Sequence, residues 1–417
     1  MAQGKRQKKR DAGMVTVLWG LMAVLAVWAV GAGVLRLTPQ GGQETEPPPP
    51  EESLQEPEAP PEPVPEPPPE PAPSAAQQLL ETMTLREKVC QLFVVFPVNL
   101  AGPDQVTEAG EPTRLALEQY PVGGLIYDRT NMAGKEQVRD MLAAVQSYSR
   151  IPLLLACDEE GGRVNRLMAT VGTTYIGPML QYKDQGVGKA AENARIIASD
   201  MAALGFNADF APVADVWSNP KNTVIGDRAY SDDFSQAADL VAAAVEGFHQ
   251  EGVACALKHF PGHGDTSADS HNGSVYVYKT LDQLREAELL PFRAGIGAGA
   301  DMVMIGHLII SDVSEEPALL SPEIVTDLLR EELGFTGVVI TDSLQMRAMT
   351  DVYGAGEIAV GAVLAGVDLL LCPENLEEAV ESLTAAVESG EIPESRLDES
   401  VLRILTMKEA RGLLPEM

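Results

Sequence analysis

From residue 75 onward, short apolar runs alternate with amphipathic, helix-like stretches, and this alternation constrains the fold more than any other feature of the chain. The runs cover residues 89–96, 122–127, 152–157, 206–211, 253–257, 302–305, 338–341 and 367–371. They are near-continuously hydrophobic, as strands buried on both faces of a parallel sheet must be. The intervening stretches, among them 189–204, 235–251, 322–333 and 376–388, suit crossover helices, and 396–411 suits a closing one. Eight such units predict an α/β chain folded as a (β/α)8 barrel of the TIM type, with a doubly wound open sheet as competitor. The charged residues favour the barrel. Asp158, Asp215, Lys258, His259, His307 and Asp342 each lie near the C-terminal end of a run. A barrel brings those ends to one mouth, whereas an open sheet spreads them along an edge.

The first quarter of the chain reads differently. Residues 12–35 carry no charge and are almost all apolar, long enough at about 1.5 Å per residue to cross a hydrocarbon core of about 30 Å. Lys5, Arg6, Lys8, Lys9 and Arg10 precede this stretch and Arg36 follows it. The positive-inside bias therefore predicts a cytoplasmic N-terminus (1–11), a signal-anchor helix (12–35) and an extracytoplasmic remainder on the cell membrane. A cleaved signal peptide and secretion is the alternative, but it calls for a shorter apolar core and a clear cleavage site. Residues 36–74 are dominated by Pro and Glu; such a segment cannot bury a core and is expected to be a disordered, extended, self-repelling spacer. The folded domain is then 75–417.

A net charge of −31 excludes a nucleic-acid partner, because binding a phosphate backbone needs a basic surface. Cys90, Cys157, Cys255 and Cys372 each sit in an apolar run, a pattern of buried free thiols rather than metal or disulfide spacing. No cofactor is implied, and the domain is expected to be a monomer.

Residues 258–271 place three His, two Asp and a Lys on one Gly- and Pro-broken segment after the fifth run. Such a density of titratable groups on a loop at a strand end points to chemistry. Gly262 and Gly264 suggest a loop that bends and closes over a ligand. His259, His263, Asp265, Asp269 and His271 are also conceivable metal ligands, but no helical His-x-x-x-His face or cysteine pair supports a metal site. Taken alone, Asp342 reads equally as a catalytic group or a helix cap, Arg166 and Arg228 read as surface or ion-pair residues, and Tyr276 and Tyr278 read as packing rather than as sugar platforms.

Several ordered motifs resemble the family-3 glycoside hydrolases, in particular their single-domain β-N-acetylhexosaminidase branch. They are Met83-Thr84-Leu85-Arg86-Glu87-Lys88-Val89, Asp158-Glu159-Glu160-Gly161-Gly162-Arg163-Val164-Asn165-Arg166, Ile225-Gly226-Asp227-Arg228, the 258–271 segment, and Gly337-Val338-Val339-Ile340-Thr341-Asp342-Ser343-Leu344. The resemblance implies a retaining exo-hydrolase of terminal β-linked N-acetylglucosamine, from peptidoglycan fragments or chitooligosaccharides. By that resemblance Asp342 is the nucleophile, His271 the acid/base and Asp269 its dyad partner, while Asp158, Arg166, Arg228, Lys258 and His259 bind the sugar. Glu159 stands where the family often has Gln or His, and Ser343 where many members have a second Asp. Its alternatives are a β-glucosidase or β-xylosidase, a phosphorolytic N-acetylglucosaminidase, and a non-catalytic wall-glycan-binding module. An extracytoplasmic domain also departs from the cytoplasmic setting of much of the branch.

Overall fold

A computed structural model of the protein describes residues 73–103, 106–266 and 273–414. The expected cytoplasmic N-terminus, anchor helix and nearly all of the spacer lie outside these residues. Among the described residues no helix is long and apolar enough to cross a membrane. The first helix, Ala75–Glu81, starts at Ser74, whose hydroxyl accepts from the Gln77 amide in a reciprocal capping box.

The strands in chain order are β1 (Phe93–Val95), β2 (Gly124–Ile126), β3 (Leu154–Cys157), β4 (Ala208–Asp209), β5 (Ala254–Phe260), β6 (Val275–Val277), β7 (Met302–Ile305), β8 (Leu308–Ile310), β9 (Val338–Thr341) and β10 (Leu370–Leu371). Eight of them form one parallel sheet in the order β10-β1-β2-β3-β4-β5-β7-β9. The two ends meet: the Thr341 amide donates to Leu369 O at 3.0 Å and the Leu369 amide to Val339 O at 2.9 Å, with Ile340 opposite Leu369. This is the expected (β/α)8 barrel. Each predicted run coincides with one barrel strand, although β5 extends past its run to Phe260 and 89–91 belongs to the helix Leu85–Gln91 that leads into β1. The sequence reading missed β6 and β8, which pair in parallel as a separate two-stranded sheet.

Crossover helices cover the outside. Asp233 caps the helix Phe234–Gln250, and its Leu240, Val241, Ala244, Val245 and Phe248 face the core at helical spacing. It packs closely on the helix Val187–Ala202, since a Cβ at Gly247 would lie 2.3 Å from Ala191 O. At the floor, the C-terminal helix Glu394–Ala410 buries Lys408 completely, and its Nζ donates to Gln91 Oε1 at 2.8 Å.

Candidate active site

The C-terminal strand ends surround a cavity of about 480 Å³ lined by Asp158, Glu160, Arg166, Arg228, Lys258, His259, His263 and Asp342, among others. Every site residue expected from the sequence and lying among the described residues is therefore at one mouth. His271 and Asp269 lie outside the described residues.

Asp342 follows β9 directly. Its amide donates to Ile305 O at 2.9 Å, which fixes the backbone against β7, and one carboxylate oxygen accepts the Ser343 amide at 2.7 Å. Burial pushes its pKa up, but His259, His307, the Ser343 amide and Lys258 outweigh that and hold it below the usual carboxylate value. The capping alternative is excluded, because the next helical turn, Arg347–Thr350, starts at Met346 with no side-chain cap. His307 steadies the same corner by donating from Nε2 to Ser343 O at 2.8 Å.

Opposite Asp342 the charged residues form a chain of ion pairs. Asp158 accepts from Arg166 at 3.1 Å on one oxygen and from Lys258 at 2.9 Å on the other. Lys258 also meets Glu160 Oε1 at 2.6 Å, and Arg228 grips Glu160 with two bonds of 2.8 Å. Burial raises the pKa of Glu160, yet Arg228 and Lys258 prevail and keep it far below its ordinary value. Arg166 and Arg228 are thus ion-pair residues, as their sequence setting suggested, and they line the cavity as well. The sequence reading missed Glu160. Its signal was the second carboxylate of Asp158-Glu159-Glu160, immediately after β3.

Glu159 takes another role. It is buried, and its carboxylate accepts the backbone amides of Arg166, Leu167 and Met168. This ties down the turn that delivers Arg166. Burial raises its pKa, with those amides opposing.

Asp215 is a further residue that the sequence pointed to without a role. Pairing between β4 and β5 turns irregular at Pro212, which has no amide hydrogen, and resumes where the Ala214 amide donates to Lys258 O at 2.7 Å. This carries Asp215 to the mouth. One of its oxygens accepts from His259 Nδ1 at 2.6 Å and the other from the His263 amide at 2.6 Å. Burial raises the Asp215 pKa, but His259 and His263 bring it below its ordinary value. A carboxylate at His259 Nδ1 places the proton there and leaves Nε2 as the nitrogen free to meet a ligand. His263 is buried and accepts or donates at Nδ1 with Thr266 Oγ1 at 2.7 Å; burial lowers its pKa.

Gly262 and Gly264 have a packing role that the sequence did not suggest. A Cβ at Gly262 (φ 129°) would lie 2.8 Å from the Glu288 side chain, and one at Gly264 would lie 1.7 Å from Val216 O. Both are glycine because the backbone is packed tightly against its neighbours, and Asn222 Nδ2 pins His263 O at 2.7 Å. Lys258, His259 and His263 of this segment form one wall of the pocket. The cysteines are buried free thiols; burial pushes Cys90 up to about 12.

Three donors of fixed positive charge interleaved with carboxylates in a small pocket match hydroxyl groups, which both donate and accept. Fold and site together define a (β/α)8 barrel with a pocket of interleaved cations and carboxylates at its strand ends. Residues 84–407 match the glycosyl hydrolase family 3 N terminal domain, and the chain belongs to that family. It is 37% identical over 297 residues to a beta-hexosaminidase of Stenotrophomonas maltophilia, covering 69% of this chain and 86% of the relative. It is 35% identical over 322 residues to beta-hexosaminidase A of Pseudoalteromonas piscicida, with 70% of this chain covered but only 54% of the relative's length. A solved family 3 beta-N-acetylglucosaminidase from Paenibacillus sp. superposes with a TM-score of 0.75 at 41% identity, covering 81% of this chain and 64% of that one.

Proposed function

We propose that the protein is a β-N-acetylhexosaminidase that removes terminal β-linked N-acetylglucosamine from peptidoglycan fragments or chitooligosaccharides with retention of configuration. The observation that carries this reading is the contrast among the acids lining the pocket. Asp158 and Glu160 are committed to cations. Asp342 is held ionised and, among the described residues, makes no salt bridge; its recorded hydrogen bond is to the Ser343 amide. A carboxylate of this kind is a nucleophile, while its paired neighbours are ligands for hydroxyls.

In the first step an Asp342 oxygen bonds to the anomeric carbon as the glycosidic bond breaks, and the leaving oxygen takes a proton from His271. In the second, His271 removes a proton from water, whose oxygen displaces Asp342. Asp269, two residues before His271, orients the imidazole. Asp158, Arg166, Lys258, Arg228 and the free nitrogen of His259 hold the sugar hydroxyls and the N-acetyl group. The domain works outside the cytoplasm, tethered by residues 12–35, a placement supported by the apolar run and its basic flank.

The test is hydrolysis of an aryl β-N-acetylglucosaminide against the aryl β-glucoside, each with and without chelator. Preference for the N-acetyl sugar, unaffected by chelator, is expected. Preference for the glucoside would move the protein to a neighbouring activity, and loss of activity with chelator would point to a metal.

A further inference from the structure

Tyr276 and Tyr278 are not packing residues. They are 47% and 83% exposed, whereas Val275 and Val277 beside them are buried at 1% and 5%. Tyr278 directly follows β6, and the alternating burial along 275–278 puts both tyrosines on the same outer side. Their rings are nearly parallel, 15° apart, with centroids at 6.1 Å. Two large aromatic rings set parallel toward solvent are unusual on a soluble domain, where exposed tyrosine of this kind serves recognition.

Topology places this pair beside the mouth. β8 begins at Leu308, directly after His307, whose ring bonds to the residue next to Asp342. β6 pairs with β8 in register, with Tyr276 opposite Ile309. At about 3.3 Å per residue and about 4.8 Å between strands, Tyr276 lies on the order of 10 Å from His307. Tyr278 is two positions further along the chain, just past the end of β6. The chain just after Tyr278 is held as well, since Lys279 pairs with Asp265 at 3.1 Å and with Glu288.

We propose that Tyr276 and Tyr278 form a stacking platform for pyranose rings on the leaving-group side of a β-linked N-acetylglucosamine chain. This inference rests on the function proposed above and specifies its substrate: a chain of several sugars rather than a terminal disaccharide. Pyranose rings present C–H faces that pack on aromatic faces while their hydroxyls stay hydrated. Such a platform needs no charge, which suits a strongly acidic protein binding a neutral polymer.

The experiment compares the full-length protein with the Tyr276→Ala/Tyr278→Ala double variant on the aryl β-N-acetylglucosaminide and on the β-linked N-acetylglucosamine tetramer. The ratio of kcat/KM for the tetramer to that for the aryl glycoside is expected to fall about tenfold, and Tyr276→Phe/Tyr278→Phe to retain it. An unchanged ratio would overturn the platform. A second arm is independent of turnover: in an Asp342→Ala background, calorimetric titration with the tetramer should show binding weakened about tenfold by the tyrosine-to-alanine changes. Equal affinity would again refute it. A wild-type protein inactive on both substrates counts against the proposed function, and the titration then decides the platform alone.

Discussion

Lys408 offers the sharpest test of the energetics. It is fully buried with a neutral partner, Gln91 Oε1, at 2.8 Å, and burial lowers its pKa from 10.5 to about 7. The sign follows from proton counting. Between about pH 7 and pH 10.5 the unfolded chain carries this proton and the folded chain does not, so stability rises with pH across that window and the penalty is complete below it. At about 1.4 kcal/mol per pKa unit, the penalty is about 5 kcal/mol at low pH and falls to about 2 kcal/mol by pH 9. Lys408→Met keeps most of the volume and removes the titration. It forfeits one hydrogen bond, worth about 1 kcal/mol, while Gln91 Nε2 keeps its bonds to Pro121 O and Val122 O at 2.8 and 3.1 Å. The variant should therefore be the more stable protein near neutrality. Urea unfolding of both proteins at several pH values measures this. The gap between them should shrink by about 2–3 kcal/mol from about pH 6 to about pH 9. A gap that does not change with pH would show that Lys408 titrates alike folded and unfolded, and the reasoning would be wrong.

Other outcomes are equally direct. Asp342→Ala should abolish trapping of a glycosyl-enzyme by a fluorinated sugar; trapping that survives it would remove Asp342 as nucleophile. His271→Ala should slow substrates with poor leaving groups far more than activated aryl glycosides, and equal losses on both would count against an acid role. Glu160→Gln leaves Arg228 and Lys258 buried with one carboxylate fewer, and breaking such a pair costs about 3–5 kcal/mol; chemical denaturation should register a large part of this, with KM rising too. Gly264→Ala forces a Cβ toward Val216 O and should lower the yield of folded protein, while an alanine at Gly134, where a Cβ meets nothing within 4 Å, should not.

The barrel was legible because each strand is buried on both faces and so appears as an apolar run whatever its partners. The mouth was legible for a related reason: Asp158, Lys258 and Asp342 interrupt those runs where the strands end. Glu160 was hidden because its meaning lies in partners far along the chain; Arg228 is 68 residues away. Asp215 was visible as a strand-end charge, but its grip on His259, 44 residues distant, comes from the irregular strand around Pro212. β6 is buried on one face only and β8 follows β7 after just Gly306-His307, so neither stands out as an apolar run of its own, and without β6 the exposure of Tyr276 and Tyr278 could not be read. The packing role of Gly262 and Gly264 was hidden because glycine serves both mobility and tight contact, and the contact shows only through neighbours such as Glu288 and Val216.

The ion-paired wall of the pocket has a consequence for which sugars can enter. Arg166, Lys258 and Arg228 are matched in number by Asp158, Glu160 and Asp342, and Arg347, which also lines the cavity, pairs with Asp351 at 3.3 Å. An acidic sugar would bring a carboxylate into a site whose guanidinium and ammonium groups are already committed, and it would have to displace one of the protein's own anions to be neutralised. Poor turnover of uronic and muramic acids in the terminal position is therefore the expected outcome, and turnover of a neutral sugar should vary little with ionic strength.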